Sequence, residues 1–194
     1  MCQDLYHLMK QALKEAEKGF AKGEVPVGAV LAGPEGKIVA KAHNLPIFLN
    51  DPTAHAEILA LRSSGAFYKN YRLRDATLVV TIEPCIMCIG AALNARISRL
   101  VFGAFDHKAG AAGSLYNLAT DARLNHRIKV ISGIMEKECS MLVQDFFHLR
   151  RENNRSRRGT EVVVTGSTRN RFVPLKAGHV GSNPTLSAKK FNPC

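Results

Sequence analysis

The sequence lacks any long apolar run and any recognisable targeting segment. No apolar stretch approaches the roughly 20 residues that a helix needs to cross a bilayer. The segment Met1–Leu5 has neither the basic and apolar regions of a secretory leader nor the Arg- and Ser-rich composition of a transit peptide. We therefore expect a cytoplasmic protein that does not associate with a membrane.

Cysteine is also scarce, and the five cysteines form an odd number. In a sequence without an export signal, this number argues against a disulfide framework. Cys85 and Cys88 alone have the spacing of metal ligands. Cys139 falls on the apolar face of a predicted helix, where we expect a buried thiol.

Acidic residues are few, since 16 Asp and Glu stand against 27 Lys and Arg, and the net charge is +11. Residues 152–194 hold 8 basic and 2 acidic residues, so they contribute +6 of this charge. The preceding residues carry the remaining +5. This surplus fits an acidic partner such as nucleic acid, although charge alone does not identify one.

The 194 residues, 46% of them hydrophobic, suffice for one domain with a substantial core. Asp51 and Thr53 are cap-type residues at the start of the second predicted helix, and Pro84 fits the first turn of the third. A loop is expected over residues 44–50, and a short helix between the last two strands. Helices are predicted over residues 4–20, 53 to about 65, 84–95 and 137–151, and strands over 25–31, 37–42, 75–81, 100–103 and 128–131. This order of helices and strands predicts an α/β fold of three layers, α-β-α, around a mixed five-stranded sheet.

From residue 152 onward the apolar periodicity stops, and Arg, Ser, Gly, Asn and Pro dominate. We therefore predict a domain over residues 1–151 and a basic, disordered tail over residues 152–194. The codons of residues 168–170, 181–184 and 185–188 admit, in this order, an anticodon loop, a T-arm core and an acceptor strand. We interpret the tail as read-through into a neighbouring serine-tRNA gene, rather than as a segment that adds non-specific RNA affinity. The genomic nucleotides decide between the two.

Two short segments carry the chemistry, with His55 and Glu57 in the first and Cys85 and Cys88 in the second. One imidazole and two thiolates suit a zinc ion whose fourth position is open. Cys85 and Cys88 share one helix face, whereas His55 and Glu57 lie about 200° apart around a helix and meet at one point only beyond its end. We therefore predict two helix N-termini directed at one zinc per subunit, with Glu57 as the acid/base group that moves protons.

The pattern also admits other interpretations. A Cys-x-x-Cys pair outside a metal site is redox-active or merely structural. A structural zinc would need a fourth protein ligand, for which His43, His107 and His126 are formal candidates. None of these three is paired with a second ligand at short spacing.

At these residues the sequence resembles the zinc-dependent cytidine deaminase superfamily and, more narrowly, the bacterial tRNA-specific adenosine deaminases, which make inosine at the anticodon wobble position. The resemblance covers roughly residues 5–151. It implies a cytidine deaminase-like fold, a homodimer, and the anticodon stem-loop of a tRNA as partner. Segments beyond the zinc motif carry it: residues 24–30, 70–78, 103–106, 110–114, 125–127 and 145–151.

The resemblance also implies roles for single residues. His55, Cys85 and Cys88 bind zinc, and Glu57 shuttles the proton. Asn44 hydrogen-bonds the flipped adenine, because an amide offers both a donor and an acceptor.

Further roles concern the surroundings of the base. Val27 and Ile82 line the base pocket, and Asp106 contacts a neighbouring ribose. Arg150 and Arg151 lie on a helix that approaches the anticodon loop. From the residues alone, Val27 and Ile82 are equally typical of core, Asp106 of a solvated turn, and the two arginines of a helix C-terminus.

Two other functions compete with wobble adenosine deamination. One is deamination of a free nucleobase, nucleoside or nucleotide. The other is a non-catalytic RNA-binding subunit on a deaminase scaffold. The presence of Glu57 favours an enzyme.

Overall fold

The structure, a computed structural model, describes residues 2–159. Five strands form one sheet in the order β2-β1-β3-β4-β5. β1 is antiparallel to β2 and β3, whereas β3, β4 and β5 run parallel. This arrangement confirms the predicted α/β class and the mixed five-stranded sheet. The elements are α1 (Cys2–Ala21), β1 (Gly28–Ala32), β2 (Ile38–His43), α2 (Pro46–Leu49), α3 (Ala56–Tyr68), β3 (Thr77–Ile82), α4 (Ile86–Ala95), β4 (Arg99–Ala104), β5 (Lys129–Ile131) and α5 (Glu136–Gly159).

Helices cover both faces of the sheet, because the central strands are apolar on both sides. Alternate residues of each strand serve opposite layers, so that Leu78 and Val80 face one layer and Val79 the other. The α1 and α5 side holds Met9 and Cys139, which pack with Val79. The opposite layer is a second cluster with residues of α3 and α4, among them Ala56, Ala60, Leu61, Ile89 and Ala92.

Two details show how closely α1 and α5 approach the sheet. A Cβ on Gly28 would lie 1.9 Å from the carbonyl oxygen of Ala12, so only glycine fits where α1 crosses β1. Cys139 on α5 is 1% exposed, which confirms the predicted buried thiol. Burial raises the pKa of this thiol to about 12. Cys139 is therefore a packing residue.

The predicted start of α3 at Thr53 is wrong. The backbone N–H and the hydroxyl of Thr53 both donate to Asp51 Oδ1, at 2.8 and 2.7 Å, and close a turn before the helix. α3 begins only at Ala56, with His55 as its N-cap. The cap-type residues thus form a turn that delivers His55 to the start of the helix.

The short helix was predicted in the wrong place. Between β4 and β5 the described chain forms turns and isolated bridges but no helix. The short helix is instead α2, inside the expected loop over residues 44–50. It begins at Pro46, and its Phe48 N–H donates to the buried carboxylate of Glu24 at 2.8 Å. A contact from a distant segment therefore supports this single turn.

α5 is longer than its predicted range of 137–151, since it runs from Glu136 to Gly159. Its residues 149–155 are exposed, so this part has no buried face to impose apolar periodicity. The domain boundary at residue 151 stays a prediction. Residues 160–194, on which most of the tail and the read-through hypothesis fall, lie outside the described residues. Within the described range, no helix is both long and apolar enough to cross a bilayer.

Candidate active site

The site lies where the N-termini of α3 and α4 meet. His55 and Cys85 are the N-cap residues of the two helices, both with extended backbone, and neither side chain caps its own helix. Glu57 and Cys88 follow within the first turns. Unpaired N–H groups at helix N-termini favour negative charge nearby. The predicted convergence of two helix starts is thus present.

Three ligand-type atoms converge at this point. His55 Nδ1 lies 3.7 Å from Cys85 Sγ and 3.6 Å from Cys88 Sγ. All three atoms lie within 4.8 Å of one another. Tetrahedral zinc with the usual Zn–S and Zn–N bond lengths separates nitrogen from sulfur by about 3.6 Å. The two nitrogen–sulfur distances therefore fit a zinc site.

Hydrogen bonding in this cluster shifts the pKa values of the two thiols in opposite directions. The Cys88 thiol donates to Cys85 and, against the effect of burial, lowers the pKa of Cys85 to about 4. The same contact with Cys85, followed by burial, raises the pKa of Cys88. The hydrogen bond to Cys85 also raises the pKa of His55. The protein alone thus favours a thiolate at Cys85, and a cation held by these residues would also lower the pKa of the Cys88 thiol.

The histidines considered as a fourth ligand are engaged elsewhere. His43 Nδ1 pairs with Glu15 at 3.2 Å, and His126 Nε2 lies 2.8 Å from the carbonyl oxygen of Ile97. His107 stacks on the ring of Phe105. Among the side chains of residues 5–155, no other His, Cys, Asp or Glu joins the three ligand-type atoms. A zinc ion held by these three atoms would therefore keep its fourth position for a non-protein ligand.

Glu57 is a buried carboxylate with an unused oxygen. Its side chain is 3% exposed, and within the described chain its Oε2 has no hydrogen-bond partner. Burial raises the pKa of this carboxyl group. Burying a polar atom without a partner is costly, so such atoms mark places where a ligand or water belongs. Glu57 therefore suits proton exchange with a bound molecule.

Asn44, the residue after β2, connects this strand to α3. Its side-chain Oδ1 accepts the Ala56 N–H at 2.8 Å, and its own N–H donates to the Val27 carbonyl oxygen at 3.1 Å. Because the amide oxygen satisfies a free N–H of α3, the NH2 group is the part left to donate to a ligand. The amide oxygen keeps a second lone pair, so the donor-and-acceptor role of Asn44 stays a prediction.

The remaining predicted contacts are distributed more widely. Val27 and Ile82 are half-buried at the ends of adjacent strands, but they pack against opposite core layers. Asp106 Oδ1 accepts the N–H groups of Lys108 and Ala109, so the turn occupies one carboxylate oxygen.

The two arginines lie on α5, on the sheet face opposite α3 and α4. Both are exposed, and the Arg150 guanidinium stacks on Phe146 at 5.4 Å from the ring centroid. Phe146 itself is buried and packs edge-on against Phe20. The structure therefore does not bring these arginines to the cluster of His55 and the cysteines.

Glu83 was missed by the sequence analysis. It follows β3 directly, is 3% exposed, and accepts hydrogen bonds from Ser114, Ala112 and Asp106. Burial opposes its ionisation, but these bonds outweigh burial and lower the pKa of its carboxyl group. The available signal was an acidic residue at the end of an otherwise apolar strand.

Comparison with known proteins assigns this chain to a family. A family model described as the cytidine and deoxycytidylate deaminase zinc-binding region matches residues 3–104. The fold and the site thus define a zinc-binding deaminase. The tRNA-specific adenosine deaminase of Haemophilus influenzae is 49% identical over 148 residues, covering 76% of this chain and 86% of the relative. The chain belongs to the family of tRNA-specific adenosine deaminases.

Further relatives agree. The tRNA-specific adenosine deaminase of Bacillus subtilis is 45% identical over 158 residues, covering 81% of this chain and 97% of the relative. A solved structure from work on A-to-I editing by tRNA:A34 deaminases at the wobble position of transfer RNA matches with a TM-score of 0.68 and 41% identity. The match covers 70% of this chain and 98% of the chain in that structure.

Proposed function

We propose that this chain catalyses hydrolytic deamination of adenosine to inosine at the wobble position of a tRNA anticodon loop. The observation that carries the proposal is the convergence of His55 Nδ1 and two cysteine sulfurs at zinc-like spacing, beside the unused oxygen of Glu57. In the proposal His55, Cys85 and Cys88 hold one zinc ion per subunit. Such a zinc ion would act as a Lewis acid and lower the pKa of a bound water molecule. Named relatives from the same family support the choice of substrate.

Glu57 moves the protons in this proposal. Its carboxylate takes a proton from the attacking water, whose oxygen forms a bond to C6 of adenine. The carboxylic acid delivers that proton to the ring nitrogen. The carboxylate then takes the remaining proton from the new C6 hydroxyl group and passes it to the departing amine, so that the C6–N bond breaks and ammonia leaves. Because burial raises the pKa of Glu57, its protonated form is accessible nearer to neutral pH, as this double role requires.

The remaining predicted residues position the RNA. Asn44 donates its NH2 group to the adenine edge, and Val27 and Ile82 contact the base. Asp106 accepts from a neighbouring ribose through the carboxylate oxygen that its turn leaves free. Arg150 and Arg151 contact phosphates of the anticodon stem-loop. The proposed enzyme is a cytoplasmic homodimer.

The substrate is tested by incubating zinc-loaded protein with an anticodon stem-loop that carries adenosine at the wobble position. The matched RNA carries guanosine there, and free adenosine, cytidine and guanine are assayed separately. We expect inosine in the first RNA and no product elsewhere. Product from the small molecules alone would assign the chain to the competing class of free-base or nucleoside deaminases. Tight RNA binding with no product in any assay would indicate a non-catalytic RNA-binding subunit.

The role of Asn44 is tested with Asn44→Asp, which keeps an oxygen for the Ala56 N–H but removes the NH2 donor. Loss of one buried hydrogen bond of about 1.5–3 kcal/mol predicts a fall in kcat/KM of roughly 10- to 100-fold. Zinc content should stay at the wild-type level. Asn70→Asp is the matched control, since Asn70 Oδ1 likewise accepts a backbone N–H but is exposed. Equal kcat/KM for the two variants would exclude Asn44 from base recognition.

A further inference from the structure

We propose that Glu83 is a positioning residue that holds the loop over residues 105–117 (the Asp106 loop) against the Cys85 segment, as one wall of the substrate site. The inference rests on the proposed function, because the wall matters only if RNA enters there. Glu83 stands directly after β3 and two residues before Cys85. Its place at this junction allows one side chain to connect the loop to the metal-binding helix start.

The Glu83 carboxylate receives four hydrogen bonds, all from the Asp106 loop. Oε1 accepts the N–H groups of Ala112 and Ser114 at 2.9 and 3.0 Å. Oε2 accepts the Asp106 N–H at 3.1 Å and the Ser114 hydroxyl. Each oxygen thus contacts Ser114, and the carboxylate connects Asp106, near the start of the loop, to Ala112 and Ser114 in its second half. The carboxylate thus accepts N–H groups of the loop, as the carbonyl oxygens of a neighbouring strand accept those of an edge strand.

Backbone contacts place the same loop beside the metal site. The Ala111 N–H donates to the Pro84 carbonyl oxygen at 2.9 Å, and Gly110 forms an isolated β-bridge with Cys85. A Cβ on Gly110 would lie 2.4 Å from the Glu83 carboxylate, so the loop backbone closes directly over it. Any shift of Glu83 therefore displaces the loop where it borders Cys85.

The Glu83 carboxylate supplements the loop's own backbone bonds, among them that from the Gly110 N–H to the Asp106 carbonyl oxygen at 2.8 Å. Between β4 and β5, the described chain contains turns and the two isolated bridges only. Asp106 uses its side-chain Oδ1 within its own turn, while its N–H is held by Glu83. The carboxylate thus fixes the backbone at Asp106, while ring contacts also orient its neighbours, Phe105 edge-on against Phe102 and His107 stacked on Phe105.

The test is Glu83→Gln in the full-length, zinc-loaded protein. An amide retains one oxygen acceptor but turns an NH2 group towards N–H donors, which releases part of the loop. We expect KM for the stem-loop to rise by about 10-fold, which corresponds to the loss of one hydrogen bond to a charged acceptor. We expect kcat to change less and zinc content to stay at the wild-type level. Amide exchange at residues 106, 112 and 114 should accelerate, which is a readout independent of activity.

Two further variants keep the proposal testable if Glu83→Gln folds poorly. Gly110→Ala pushes a methyl group against the same carboxylate and should reproduce the rise in KM and the faster exchange. Ser114→Ala removes one of the four donors without adding a group, and should give a smaller change of the same kind. Unchanged KM and exchange in Glu83→Gln would overturn the proposal, as would activity that falls only in proportion to lost zinc. Failure of the wild type to deaminate the stem-loop would overturn the proposed function alone, since the exchange measurement still reports on Glu83.

Discussion

Replacing Glu57 with alanine should abolish deamination while zinc and RNA remain bound. In the proposed reaction the same carboxylate acts first as base and then as acid, so its loss removes both proton transfers. General acid–base groups contribute up to about 10⁴-fold, and we expect kcat to fall by about that factor. The rate is measured as inosine formation in the stem-loop under single-turnover conditions. Zinc is measured by elemental analysis and RNA affinity by fluorescence anisotropy.

Two controls separate this effect from damage to the fold. Glu35→Ala removes an exposed glutamate from the turn between β1 and β2 and should leave the rate unchanged. Glu57→Gln keeps the volume of the side chain, but its amide cannot take up the proton. Because Glu57 buries an oxygen without a partner, we expect Glu57→Gln to unfold at no lower temperature than the wild type. A Glu57→Ala protein that retains a tenth of the wild-type rate would refute the proton-transfer role.

Replacing Cys88 with serine should remove the metal. Cys88 is fully buried in the first turn of α4, 3.6 Å from His55 Nδ1, and a serine hydroxyl at this position does not ionise to replace the thiolate. Loss of an outer partner of a zinc site already costs 10- to 100-fold in affinity, so we expect a loss of more than about 100-fold here. Metal bound to the native state stabilises it, and a 100-fold excess over Kd contributes about 2.7 kcal/mol. The thermal midpoint in the presence of zinc should fall accordingly.

Cys139→Ser is the matched control for this experiment. It makes the same chemical change at a second buried thiol, which lies 3.8 Å from Met9 Sδ on the other side of the sheet. This variant should be less stable, because the buried serine hydroxyl loses its hydrogen bonds to water. It should nevertheless bind zinc as the wild type does. Zinc content of Cys88→Ser equal to that of the wild type would contradict the ligand assignment.

The sequence predicted those features that local patterns encode. Apolar runs located all five strands, and the spacing of Cys85 and Cys88 placed both residues at a helix start. The geometry of His55 and Glu57 then required two helix ends to face one point, as the structure has it. These inferences succeed because helix periodicity and ligand spacing are properties of short segments.

The features that the sequence missed depend on contacts between distant segments. α2 is one turn long, too short for periodicity, and it is held by Glu24 from another loop. Asp51 and Thr53 bond to each other instead of capping α3, a choice that composition does not reveal. Glu83 has no partner within its own segment, and all of its partners lie more than 20 residues further along the chain.

The attachment of both metal-binding helix starts to a shared core has a consequence for supply of the metal. Buried residues of α3 and α4 pack in one apolar layer against the sheet, so their positions are set by folding. Zinc fingers differ, since there the metal binding energy is the folding energy. In this chain we expect the folded protein to bind and release the zinc ion reversibly. We therefore expect a metal-starved molecule to regain zinc on resupply without refolding.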